Sequence, residues 1–128
     1  QDEALGYAKT IKILAIKSMR DFLEESKITL STGLIFAADL KGQQNIINQL
    51  KDWDNILKLL GKNPQTDKCA WGSTGLVSKA DLQEAYEIIV KRKMSILGEQ
   101  SPQLEEQVNA CKTMEELNNL NIQFTENF

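Results

Sequence analysis

The sequence predicts a mainly α-helical α+β domain of about four helices with two small β-hairpins. Three observations carry this expectation. Long stretches place apolar residues at three- and four-residue spacing, the mark of a helix with a buried stripe. Ser-Thr-Gly-Leu occurs at 31–34 and again at 73–76, each time between segments that favour extended backbone. Residues that cap helices stand at the heads of the helical runs.

From Glu3 to about Glu25 the chain reads as one long helix. Ala4, Ala8, Ile11, Ala15, Ser18 and Phe22 form one stripe, and Ile13, Ile16 and Leu23 a second row on another side. A surface helix of a monomer needs only one such stripe. The second row therefore predicts either a deeply buried helix or packing against another chain, and Ile13, Ile16 and Leu23 are the candidate self-association face. Residues 1–26 form the long N-terminal helix, a candidate oligomerisation segment. Residues 27–128 form a compact helical domain with both hairpins, and the whole is one domain. The first residue is Gln1 rather than Met, as expected of a processed product or, the favoured reading, a piece of a longer protein.

Ile28-Thr29-Leu30 and Leu34-Ile35-Phe36 flank the first Ser-Thr-Gly. A three-residue loop pairs Leu30 with Leu34 and Ile28 with Phe36, gathering four apolar side chains on one face. A two-residue loop would split them between faces. The three-residue register is predicted, with Gly33 supplying positive φ.

Asp39 is the expected cap of the next helix. There Ile46, Leu50, Trp53, Leu57 and Leu60 recur at 4-3-4-3 spacing, and Gly61 ends the run. Gly42 weakens the first turn by up to ~1 kcal/mol relative to Ala. Lys62 to Lys68, with Asn63-Pro64, is a loop.

The stretch from Trp71 to Gly98 is the part around which the rest is organised. Ala70-Trp71 and Leu76-Val77 read as strands joined through Ser73-Thr74-Gly75, with Gly75 at the left-handed position. Ser78 and Asp81 form a capping box, Leu82, Ala85, Tyr86, Ile89 and Ile96 the inner face, and Gly98 the stop. Ser101-Pro102 starts a further helix whose inner face is Leu104, Val108 and Cys111. Thr113 and Glu116 make a second capping box before Leu117 and Leu120. The last residues, Thr125 to Phe128, are expected to fray. The expected core is Phe22, Ile46, Leu50, Trp53, Leu57, Trp71, Leu82, Tyr86 and Ile89.

Composition excludes more than it assigns. A net charge of −3 argues against a nucleic-acid binder, which needs a basic face. No apolar run approaches the ~20 residues of a membrane span. There is no histidine, which removes the commonest general base and every Ser-His or Cys-His nucleophile pair. Cys69 and Cys111 are too few and too far apart for a metal site; two buried thiols are favoured over a disulfide, because nothing marks the chain as secreted. No catalytic residue, cofactor or metal is expected.

Other clusters have ordinary readings. Asp52 and Asp54 point apart on a helix and flank a buried Trp53. Lys91-Arg92-Lys93 reads as a solvated helix end matched to the dipole. Gly72-Ser73-Thr74-Gly75 lacks the Lys-Ser/Thr of a phosphate loop. Trp71 is core or an aromatic anchor for a partner.

The order of these features resembles a tail-associated domain family of unknown function found in phage and prophage proteins, often at the C-terminal end of tail-fibre or tail-tip chains. The resemblance runs over about residues 11–124. It rests on Met19-Arg20-Asp21, the hairpin around Gly33, Phe36 and Asp39, Gln43-Gln44-Asn45-Ile46, the Trp71 strand turning at Gly75, Ser78-Asp81-Leu82, and Cys111 with Thr113-Met114-Glu115-Glu116-Leu117. Asp54 to Asp67 is longer than the family pattern, and Ala37-Ala38 replaces more polar residues. The resemblance implies a non-enzymatic structural or adaptor domain, in the virion tail and, during assembly, the bacterial cytoplasm. Its implied partners are other tail subunits or further copies of itself, as a trimer or dimer. A tail-fibre assembly chaperone is the alternative. A small host-modifying factor or hydrolase is a third reading, against which the missing histidine counts.

Overall fold

The computed structural model describes residues 2–126; Gln1 and the tail residues Asn127 and Phe128, where fraying is expected, lie outside the described residues. In chain order come α1 (Asp2–Glu24), β1 (Ile28–Thr29), β2 (Ile35–Phe36), α2 (Leu40–Lys51), α3 (Trp53–Leu59), β3 (Cys69–Trp71), β4 (Gly75–Val77), α4 (Lys79–Ser95), α5 (Ser101–Ala110) and α6 (Met114–Asn119). The expected class, small α+β with two hairpins, is observed. The chain divides into two compact units: Glu25–Val90, and α1 together with the chain from Lys91 onward.

In the unit Glu25–Val90, β1 and β2 pair antiparallel with Ile28 opposite Phe36, and Leu30 N–H donates to the Leu34 carbonyl at 2.8 Å. The loop is Ser31-Thr32-Gly33, with Gly33 at φ 91°. The second hairpin is shifted by one residue from expectation. Trp71 lies opposite Gly75, so the turn is the short 3-10 segment Gly72–Thr74 and Gly75 opens β4. Gly72 takes φ 48° and Gly75 φ 106°, so the turn bends at a glycine on each side.

Both hairpins turn apolar residues inward. Ile28, Leu30, Phe36, Cys69 and Val77 join Ile46, Trp53, Leu57, Leu82, Ala85 and Ile89 in one core, with Leu50 and Trp71 half-buried against it. The rings of Phe36 and Trp71 meet at 6.0 Å between centroids, tilted by 56°. Glu84 on α4 accepts from the Ser31 N–H at 2.7 Å and from its hydroxyl at 2.9 Å. Tyr86, expected in this core, is 37% exposed. Leu82, Ala85 and Ile89 fill the inward arc, and Tyr86 lies at its flank.

The run expected to be one helix from Asp39 is two. Asp39 caps α2, accepting from the Gly42 N–H at 2.7 Å. Asp52 then leaves helical geometry (φ −110°, ψ 17°) before α3. Trp53 is 1% exposed and donates its indole N–H to the Pro64 carbonyl at 2.9 Å. At the end of α3, Lys62 N–H reaches the Leu57 carbonyl and Gly61 N–H that of Lys58. With Gly61 at φ 72°, this is a Schellman closure, and it leaves Leu60 outside the core at 58% exposure. Ser78 and Asp81 open α4 reciprocally, Ser78 N–H donating to the Asp81 carboxylate at 2.9 Å and Asp81 N–H to the Ser78 hydroxyl at 3.1 Å.

In the other unit, Ile16, Ile96, Leu104, Val108, Cys111, Leu117 and Phe124 form a second core. Gly98 does not stop the helix and Ser101 does not cap one. The backbone passes from α4 through a π-helical segment, Ile96–Gln100, into α5, with Ser101 itself helical (φ −62°, ψ −48°). Ser101 N–H donates to the Ile96 carbonyl five residues back. Pro102 explains the widening: it has no N–H for the carbonyl of residue 98, and its ring would press on that group in a regular α-turn. The buried Ser101 hydroxyl donates instead to the Glu105 carboxylate at 3.2 Å. Thr113 caps α6 through Glu116 N–H at 3.1 Å, and the Glu116 carboxylate accepts from Lys112 N–H at 2.7 Å.

Candidate interaction face on the first helix

Helix α1 carries two apolar faces. At about 100° per residue, Leu5, Ile13, Ile16 and Leu23 gather around one direction, and Tyr7, Ile11, Leu14 and Phe22 around the opposite one. The first group is interior: Ile16 is fully buried, and Leu5, Ala8, Ile13 and Leu23 pack on the same core. The second group faces outward, with Tyr7 71%, Ile11 51%, Leu14 57% and Phe22 75% exposed.

This corrects two expectations. Ile13, Ile16 and Leu23 are not a self-association face; they are the row by which α1 joins its own unit. Phe22 is not core. The small residues of its stripe, Ala4, Ala15 and Ser18, have too little apolar surface to compete with Ile13, Ile16 and Leu23 for the interior. Polar contacts keep α1 in this rotation. Lys9 donates to the Asn109 carbonyl at 3.0 Å, and Arg92 donates to the Glu24 carbonyl.

Arg92 also corrects the reading of Lys91-Arg92-Lys93 as a solvated end. It is 5% exposed, and burial lowers its pKa from the ordinary value while the charge of Glu24 acts in the opposite direction. Lys93 lies 3.6 Å from the Glu24 carboxylate. The cluster is a structural joint within this unit.

Asp52 and Asp54 are exposed beside the buried Trp53. Cys69 and Cys111 are buried free thiols. Among the described residues no group of three or more His, Cys, Asp or Glu could hold a metal ion, and no helix is long and apolar enough to cross a membrane. Sequence reasoning passed over Tyr7 and Leu14. Their signal is the 3-4-3-4 spacing of Ala4, Tyr7, Ile11, Leu14 and Ser18, the seam of a coiled coil.

No protein-family model, curated protein or solved structure matches the chain. The resemblance to the tail-associated domain accordingly rests on the order of its sequence features.

Proposed function

We propose that the chain is a non-enzymatic structural or adaptor domain that packs subunits together, and that the outward face of α1 is where a second copy docks. The observation that carries this reading is the row Tyr7, Ile11 and Leu14, exposed on a helix whose opposite face already serves its own core. With Phe22 the face offers on the order of 500 Å² of apolar surface, the size of patch that marks interaction sites. Two copies together reach the ~1,000 Å² at which specific interfaces begin. The 3-4-3-4 spacing favours a like helix as occupant, because knobs at that spacing fit the holes of an identical seam. The resemblance adds the setting: a phage or prophage tail protein, with fibre trimers favouring three copies over two.

Sedimentation across a concentration series tests the docking face. Self-association is expected for the intact chain, with Ile11→Glu and Leu14→Glu each raising the dissociation constant at least tenfold without loss of helical signal. A chain that stays monomeric at high concentration refutes it. The setting is tested by the full-length gene product: fused fibre or baseplate repeats support the adaptor, and an immediate start codon supports the chaperone.

A further inference from the structure

Within the unit Glu25–Val90 a cleft of about 650 Å³ runs between one face of α2 and the second hairpin. Asn45, Asn48, Gln49 and Asp52 line one wall, at the i, i+3, i+4, i+7 positions that share a helix face. Trp71 and the Ser73-Thr74 turn line the other, and among the described residues no Lys or Arg lines the cleft. Without a cation the site is unsuited to phosphate or carboxylate ligands. Side-chain amides offer donors and acceptors together, the complement of a neutral ligand rich in both.

Neighbouring hydrogen bonds orient these groups in advance. Gln44 donates to the Asn48 Oδ1 at 2.9 Å, which leaves the Asn48 amide N–H groups to donate. Asn55 donates to the Asp52 Oδ1 at 3.1 Å, which leaves Oδ2 as acceptor. A fixed donor thus stands one helical turn from a fixed anionic acceptor. Vicinal hydroxyls suit that spacing, one accepting from Asn48 and the other donating to Asp52. Among the described residues the indole N–H of Trp71 and the side chain of Asn45 make no hydrogen bond, so both are available to a ligand. The half-buried indole adds an apolar platform, the surface against which the C–H face of a sugar ring packs.

We infer that this cleft binds a neutral saccharide, with Asn48 and Asp52 holding adjacent hydroxyls and Trp71 carrying the ring. The site is built wholly from residues of the unit Glu25–Val90 and does not depend on the docking proposal.

An NMR titration of the intact chain with gluco-, galacto- and manno-configured trisaccharides, taken into the millimolar range, tests it. A tetra-alanine amide and inorganic phosphate are run alongside. At least one saccharide is expected to give saturable shifts confined to the Trp71 indole N–H and the side-chain amides of Asn45, Asn48 and Gln49. Asn48→Ala and the shape-conserving Asn48→Asp are expected to weaken binding about tenfold while the remaining spectrum is retained. Retention of a folded spectrum by either variant is enough to read the result. Absence of saturable shifts with every saccharide, shifts centred elsewhere, or a response to the peptide or phosphate in place of the sugars overturns the inference.

Discussion

Replacing Gly42 by Ala is expected to destabilise the protein, although helix propensity alone predicts the reverse. Gly42 sits in the first turn of α2, where Ala is intrinsically better by up to ~1 kcal/mol. A Cβ built there falls far inside contact distance of the Ala37 carbonyl oxygen, 2.8 Å from the Ala37 carbonyl carbon and 2.9 Å from Asp39 Oδ1. Two of these atoms are backbone and cannot swing away, so either the 37–39 segment or the helix start must move. Overpacking of this kind costs about 1–3 kcal/mol. The same movement strains the bond from Gly42 N–H to Asp39, a cap worth about 0.5–2 kcal/mol. Set against the propensity gain, the net loss is about 1–3 kcal/mol. In urea that lowers the midpoint by on the order of 1 M. Gly6→Ala in α1 is the control: nothing lies within 4 Å of its added Cβ, so stabilisation of about 0.5–1 kcal/mol is expected. A Gly42→Ala midpoint at or above that of the parent, with Gly6→Ala behaving as expected, refutes the steric argument.

Two further perturbations follow from single contacts. Glu84→Ala removes the acceptor for both the N–H and the hydroxyl of Ser31, and should cost about 1–3 kcal/mol in urea melts; an unchanged midpoint shows that water replaces both bonds at no cost. Thr113→Ala removes the oxygen that receives Glu116 N–H and should cost about 0.5–2 kcal/mol, with loss of amide protection confined to the first turn of α6.

Local chemistry is the legible part of the sequence, because caps and tight turns are decided by residues a few positions apart. Asp39, Ser78 with Asp81, and Thr113 act where the sequence places them, and the pairing of Ile28 with Phe36 follows from side-chain alternation. The two copies of Ser-Thr-Gly-Leu mark where this legibility ends. The first closes a loop at 31–33. The second lies one step out of that register, because Gly72 precedes it and takes the first positive φ itself. Gly98 and Ser101-Pro102 fail for a related reason. Both are sound boundary signals, yet Ile96, Leu104 and Val108 belong to one core, and a π-helical segment keeps them in one helical run where a break is expected. The cleft is silent in the sequence because Asn45, Asn48, Gln49 and Asp52 read as a solvated helix face, and nothing local places the second hairpin opposite them.

Helix α1 shows how periodicity can find both apolar faces and still assign them wrongly. Spacing fixes which side chains share a direction; it does not say which direction is inward. The longer stripe, from Ala4 to Phe22, reads as core because it is unbroken. Hydrophobic stabilisation scales with area rather than with regularity, and three of its six members are alanines and one a serine. Each Ile or Leu fully buried is worth about 1.5–3 kcal/mol, so Leu5, Ile13, Ile16 and Leu23 outweigh Ile11 and Phe22 with their small neighbours. Tyr7 and Leu14, which fall in neither row, then complete the outward face. Weighting each row by side-chain area, rather than by length, turns Leu5, Ile13, Ile16 and Leu23 inward and leaves Tyr7, Ile11 and Leu14 exposed on the outward face.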